Sequence, residues 1–180
     1  MMKKSSSILL LLFIFMTSMI SGCNKMSIEQ YQNRSPHFVL EEYFLGQTRA
    51  WGIFQNRSGE VERQFTVDIL GKMVDGNLVL EEDFIYADGT LDRRVWTITK
   101  IDEHNYEGRA SDVIGHATGK AYGNALSWAY TLDLPYKDAT VKVQFDDWMF
   151  LQEDGVLINR AKMTKFGVFL GEVTLVFQRP

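Results

Sequence analysis

Cysteine is almost absent: Cys23 is the sole one in 180 residues. That excludes an internal disulfide and any CxxC metal or redox site. Three prolines, Pro36, Pro135 and Pro180, are too few for a polyproline-type chain. Histidine is scarce as well. His37, His104 and His116 stand far apart, without HxH or HExxH spacing, so no metal site and no cofactor are expected. Nor is there an excess of positive charge. Nineteen Lys and Arg face 23 Asp and Glu, a net charge of −4, which argues against a nucleic-acid partner. No GxSxG elbow and no GKS or GKT ending occurs. The recurrence of Gly115, Gly119 and Gly123 therefore reads as close strand approach or barrel kinks rather than a phosphate cradle. What is present is 46% hydrophobic and 13% aromatic residues, enough for one folded domain with a sizeable core.

Residues 1–22 read as a lipoprotein signal peptide. Lys3 and Lys4 form a basic start, and Ile8 to Ile20 is uncharged and mostly apolar. At about 1.5 Å per residue this run spans roughly 20 Å, short of the ~30 Å bilayer core. It ends in Ile20-Ser21-Gly22-Cys23, which resembles a bacterial lipobox. Small residues there suit a signal peptidase, and the Cys23 thiol is the nucleophile that accepts a diacylglyceryl group. The expectation is palmitate-type lipidation at Cys23, with the acyl groups holding the chain to the membrane. Asn24 in the next position resembles the outer-membrane default, which puts the protein on the periplasmic face of that membrane. Residues 23–36 read as the lipidated N-terminus and a flexible polar tether, and 37–180 as the folded domain.

Phe38 to Phe44 has the spacing of one or two helical turns. Thereafter the period is two. Strands are expected at Gln47–Gln55, around Phe65-Val67-Ile69, at Leu78–Tyr86, Leu91–Lys100, Tyr106–Ala110, Ile114–Tyr122, Leu126–Leu134, Val141–Leu151, Val156–Thr164 and Val168–Phe177. Turn signals separate them, among them Asn56-Arg57-Ser58-Gly59, Asp75-Gly76, Asp88-Gly89 and Glu153-Asp154-Gly155. The fold class is all-β: about ten antiparallel strands in an up-and-down β-barrel. Closure is favoured over a sandwich because it leaves no exposed edges. A helical turn ahead of a first strand carrying Trp51-Gly52 is similar to the start of lipocalin-type barrels.

Several words resemble, in order, a family of small Gram-negative lipoproteins known only as a domain of unknown function. They are Tyr86-Ala87-Asp88-Gly89, Arg94-Val95-Trp96, Gly123-Asn124-Ala125-Leu126, Phe145-Asp146-Asp147-Trp148-Met149, Asn159-Arg160-Ala161, and Lys165-Phe166-Gly167 through Gly171-Glu172-Val173. The resemblance implies an outer-membrane lipoprotein of calycin-like shape and no established activity. It also implies encoding near fatty-acyl-modifying enzymes, which hints at envelope lipid chemistry.

Strand parity selects the candidate site residues. Asp146 and Asp147 point to opposite faces, with Asp147 in step with Phe145 and Met149 and so directed inward. A buried carboxylate needs a partner, and Arg160, across the Glu153-Asp154-Gly155 hairpin, is the expected one. Glu82 falls in step with Leu80 and Phe84, Arg63 with Phe65, and Arg94 with Trp96. Trp96, Trp128 and Tyr130 lie on inner faces, and the four tryptophans, Trp51 and Trp148 included, are assigned mostly to the core. Polar groups on apolar faces resemble a fatty-acid-binding barrel, where a cation meets a carboxylate headgroup. Three function classes follow, in this order: a module binding or carrying an acyl-chain or other apolar small molecule, an envelope scaffold with a filled core, and an enzyme acting on acyl chains through Asp147, Arg160 or Glu82. No protein partner and no catalytic residue can be assigned from the sequence.

Overall fold

Side chains alternating between apolar and polar fold this chain into strands that bury one face and wet the other. The computed structural model describes residues 26–136 and 139–180. The signal segment and Cys23 lie outside the described residues. Ten strands follow in chain order: β1 Gly46–Asn56, β2 Val61–Val74, β3 Asn77–Tyr86, β4 Leu91–Lys100, β5 Asn105–Arg109, β6 Ala117–Tyr122, β7 Ala125–Tyr136, β8 Ala139–Leu151, β9 Leu157–Lys165 and β10 Val168–Gln178. Each pairs antiparallel with its sequence neighbours, and β10 pairs with β1, so the sheet is a closed up-and-down barrel. Closure satisfies every edge with another strand of the same chain.

The turns explain the register. Asp75-Gly76 and Phe166-Gly167 both take positive φ at the two central positions (49° and 80°, 50° and 77°). That is the geometry of two-residue hairpins whose twist matches the strands. One expected strand starts late: the pleat begins at Ala117 rather than Ile114. Gly115, at φ 73°, breaks it, and Val113 makes only an isolated bridge to Leu132.

Helix α1, Leu40–Phe44, closes one end of the barrel. Five residues cannot hold a helix alone, so its side chains do the holding. The Phe44 ring meets Phe177 edge-on at 5.6 Å, and the Tyr43 hydroxyl lies 3.0 Å from the Gly155 carbonyl and 3.2 Å from that of Phe177. Glu41 takes an ion pair from Lys100 at 2.6 Å and a hydrogen bond from Tyr106 at 3.1 Å. The stretch read as a polar tether touches the barrel at Ile28 and Tyr31. Ile28–Tyr31 forms a 3-10 turn with Ile28 buried, and the Tyr31 ring lies on Trp148 and Phe150 of the outer wall. Polar neighbours hid those two apolar anchors from a periodicity argument. Among the described residues, no helix is long and apolar enough to cross a membrane.

Candidate functional site

The inward faces of the strands enclose a cavity of about 250 Å³, floored by Leu40 and Phe44 of α1. This lies near the lower edge of small-molecule sites, which run from roughly 300 Å³ upward. Its wall is mostly hydrocarbon. Trp96 sits edge-on to both Trp128 (centroids 5.7 Å, 76°) and Tyr130 (5.5 Å, 81°), and Tyr130 stacks on Phe145 at 5.0 Å. Space for the Trp128 indole comes from β5 and β6: a Cβ at Gly108 or Gly119 would overlap its ring. Close approach is thus the role of Gly119, while Gly115 and Gly123 serve loop and turn conformations with positive φ.

Six polar side chains from five strands interrupt this wall: Glu82 and Tyr86 (β3), Arg94 (β4), Tyr130 (β7), Asp147 (β8) and Asn159 (β9). Glu82 and Arg94 are cross-strand partners. Arg94 also grips Asp112, from the β5–β6 loop, with Nη2 to Oδ2 at 2.7 Å and Nε to Oδ2 at 3.0 Å. Such a two-point pair is stronger and more directional than a lysine contact. Its guanidinium lies 5.7 Å from the Phe84 ring centroid. On the other side, Asn159 Nδ2 donates to Asp147 Oδ2 at 3.2 Å. Asp147 is 4% exposed and Asn159 is 1% exposed. The other carboxyl oxygen, Asp147 Oδ1, and the amide oxygen Asn159 Oδ1 have no hydrogen-bond partner. Tyr130 stands beside Asp147 and favours its charged form, without a hydrogen bond of sound geometry to Oδ1.

Burial dominates the electrostatics. It pushes the Glu82 carboxyl up to about 7, with the Arg94 charge working against the shift and Asp112 adding to it. Burial likewise pushes Asp147 up to about 7, with the Asn159 hydrogen bond opposing and the Asp146 charge reinforcing. The Tyr130 phenol is raised well above its ordinary value by burial and then by Asp147. For Arg94, burial disfavours the charge, but Glu82, Tyr130 and Asp112 outweigh it and hold the guanidinium protonated.

Two expected site residues are placed elsewhere. Arg160 does not reach Asp147. The β8–β9 register sets Asp147 opposite Ala161 and Arg160 opposite Trp148, so Arg160 faces outward. There it pairs with Glu172 of β10, Nη2 to Oε1 at 2.7 Å. The physical reason is parity: a β9 residue sharing the interior with Asp147 has an odd number, and that residue is Asn159. Arg63 is exposed, at the end of the barrel opposite α1, with its guanidinium 5.3 Å from the Tyr86 ring centroid. Trp51 and Trp148 are not core either. Trp51 is 46% exposed on the outer wall, and Trp148 lies outside beneath Tyr31. Glu82, Arg94, Trp96, Trp128, Tyr130 and Asp147 all line the cavity. Two participants were missed. Asn159 was within reach, since it alternates with Leu157 and Ala161; Asp112 sits in a loop and carries no periodic signal.

Residues 17–179 match the family described as "Protein of unknown function (DUF3833)", and the chain belongs to that family. No curated protein matches the chain. Among solved structures, the S-type phycobiliprotein lyase CPES from Guillardia theta is similar over 87% of this chain and 94% of its own, with a TM-score of 0.56 and 11% identity. At that identity the likeness shows the fold alone: a lipocalin-like closed barrel.

Proposed function

We propose that this DUF3833 chain is a carrier: a barrel that holds an apolar small molecule with one polar end. On this reading, acyl groups on Cys23 tether it to the periplasmic face of the outer membrane, where it serves envelope lipid chemistry. The observation that carries the proposal is the cavity, about 250 Å³ of mostly aliphatic and aromatic wall interrupted by a few polar side chains. An apolar wall gives affinity, and a few placed polar atoms give orientation. A filled core, the premise of a scaffold, is not what the interior contains. The acid–base pairing of Asp147 with Arg160, one premise of an enzyme, is removed by the β8–β9 register. The similar phycobiliprotein lyase supports the barrel shape and says nothing about this chain's ligand. The test is native mass spectrometry of protein purified from the cell envelope, together with emission from Trp96 and Trp128 during titration with C10 to C16 acyl compounds. A copurified apolar molecule and a saturable change are expected. An empty barrel whose emission answers to none of them would refute the carrier.

A further inference from the structure

Resting on the carrier reading, we infer that the buried end of the ligand is an N–H donor, a protonated amine foremost, rather than a carboxylate. The cavity wall carries two carboxyl groups, Glu82 and Asp147, with Asp112 held behind Arg94, and among the described residues Arg94 is the one basic side chain on that wall. Arg94 is already engaged. Its Nε and Nη2 both bond Asp112, and Glu82 stands directly across from it on β3. A fatty-acid headgroup entering here would place an anion beside the Glu82 and Asp147 carboxyls and find the guanidinium of Arg94 already paired with Asp112.

Independent of charge, two acceptors wait without donors. Asp147 Oδ1 and Asn159 Oδ1 sit on neighbouring strands of the cavity wall, 4% and 1% exposed as residues, and neither receives a hydrogen bond. A buried oxygen left unpaired is costly, and native interiors rarely keep one without a use. Neither oxygen receives a hydrogen bond of sound geometry from the described chain: Asn159 Nδ2 is given to Asp147 Oδ2, Arg94 Nε and Nη2 to Asp112, and the Tyr130 hydroxyl stands beside Asp147 without one. An ammonium carries three N–H bonds and a positive charge. It would satisfy both oxygens and offset the acid excess, while its hydrocarbon tail lay along Trp96, Trp128 and Tyr130.

The test compares decylamine, decanol and decanoate, which share a chain and differ at the head. Binding to the full-length protein at pH 7.5 is read from tryptophan emission and checked by calorimetry. Decylamine is expected to bind at least tenfold tighter than decanoate, with decanol between them. Asp147→Asn should reduce the amine preference, read as the ratio of decylamine to decanoate affinity, to less than threefold. Glu82→Gln, which keeps shape and removes a different carboxyl, should shrink the preference partway and covers the case in which Asp147→Asn does not fold. Decanoate binding as tightly as decylamine, or a preference that survives both substitutions, overturns the headgroup assignment but leaves the carrier standing. Saturable binding of none of the three overturns the carrier as well.

Discussion

At the scale of single residues, two arginines expected in the interior, Arg94 from strand parity and Arg160 from its place across a hairpin, end in different physical settings. Arg160 and Glu172 form an outer-wall pair in which the arginine side chain is 65% exposed. Solvent screens such a pair, so Arg160→Ala is expected to cost no more than about 1 kcal/mol. Arg94 is enclosed, and its removal strands Glu82 and Asp112 beside each other. Arg94→Leu is expected to cost about 3–5 kcal/mol. Chemical denaturation of both variants decides the matter: equal losses would contradict the placement. The titration of the interior acids gives a second prediction. Glu82 and Asp147 titrate near 7 in the fold and ordinarily near 4.5 and 3.8. The native state therefore binds more protons than the unfolded chain between those values, and stability falls as pH rises through that window. The groups facing them, Arg94 and Asp112 for Glu82, and Asn159, Tyr130, Arg94 and Asp146 for Asp147, are included in those shifts. Between pH 5 and 7.5, Glu82→Gln should flatten the decline in melting temperature. A slope identical to the parent's would mean that Glu82 is not buried as described.

At the scale of elements, the strands were legible because burial imposes a two-residue period wherever one face is wet. β4 was read to the residue, Leu91–Lys100, since Trp96 and Ile98 alternate with exposed neighbours and Asp88-Gly89 marks the turn before it. Register was harder to read. Period two says which residues share a face within a strand, but pairing across a hairpin depends on the turn length, and a one-residue slip exchanges inside for outside. Proximity across the hairpin pointed to Arg160 as the partner of Asp147, whereas the register faces Arg160 outward and Asn159 inward. Loops have no period at all, which is why Asp112 escaped. Glycine is informative here only through contact: Gly119 looks like a weak spot in β6 until Trp128 is seen lying over it. Gly119→Ala should cost about 1–3 kcal/mol and alter the near-ultraviolet circular dichroism of the tryptophans. An unchanged spectrum would show that the indole does not need that space. Helix α1 is held by its aromatic plug, so Phe44→Ala is expected to cost about 3–5 kcal/mol and to open the floor of the cavity.

At the scale of the whole molecule, the barrel and the proposed acyl anchor belong to different stretches of the chain. The barrel closes on itself through β1 and β10, and the N-terminal segment is fixed to its outer wall by Ile28 and Tyr31 rather than threaded through the cavity. The sites proposed for acylation and for ligand binding therefore share no side chain. A lipid-anchored carrier built this way loses its address without losing its grip. Cys23→Ser in the full-length chain should abolish acylation and leave the protein unprocessed or free in the periplasm. Any processed, soluble fraction should bind decanol with the same affinity as the parent and melt within a degree or two of it. Fractionation followed by mass measurement of the N-terminal peptide checks the first half, and the titration checks the second. Processed Cys23→Ser protein still sedimenting with the outer membrane would show that something other than acyl chains holds it there. A weakened affinity in the soluble fraction would show that the anchor shapes the cavity.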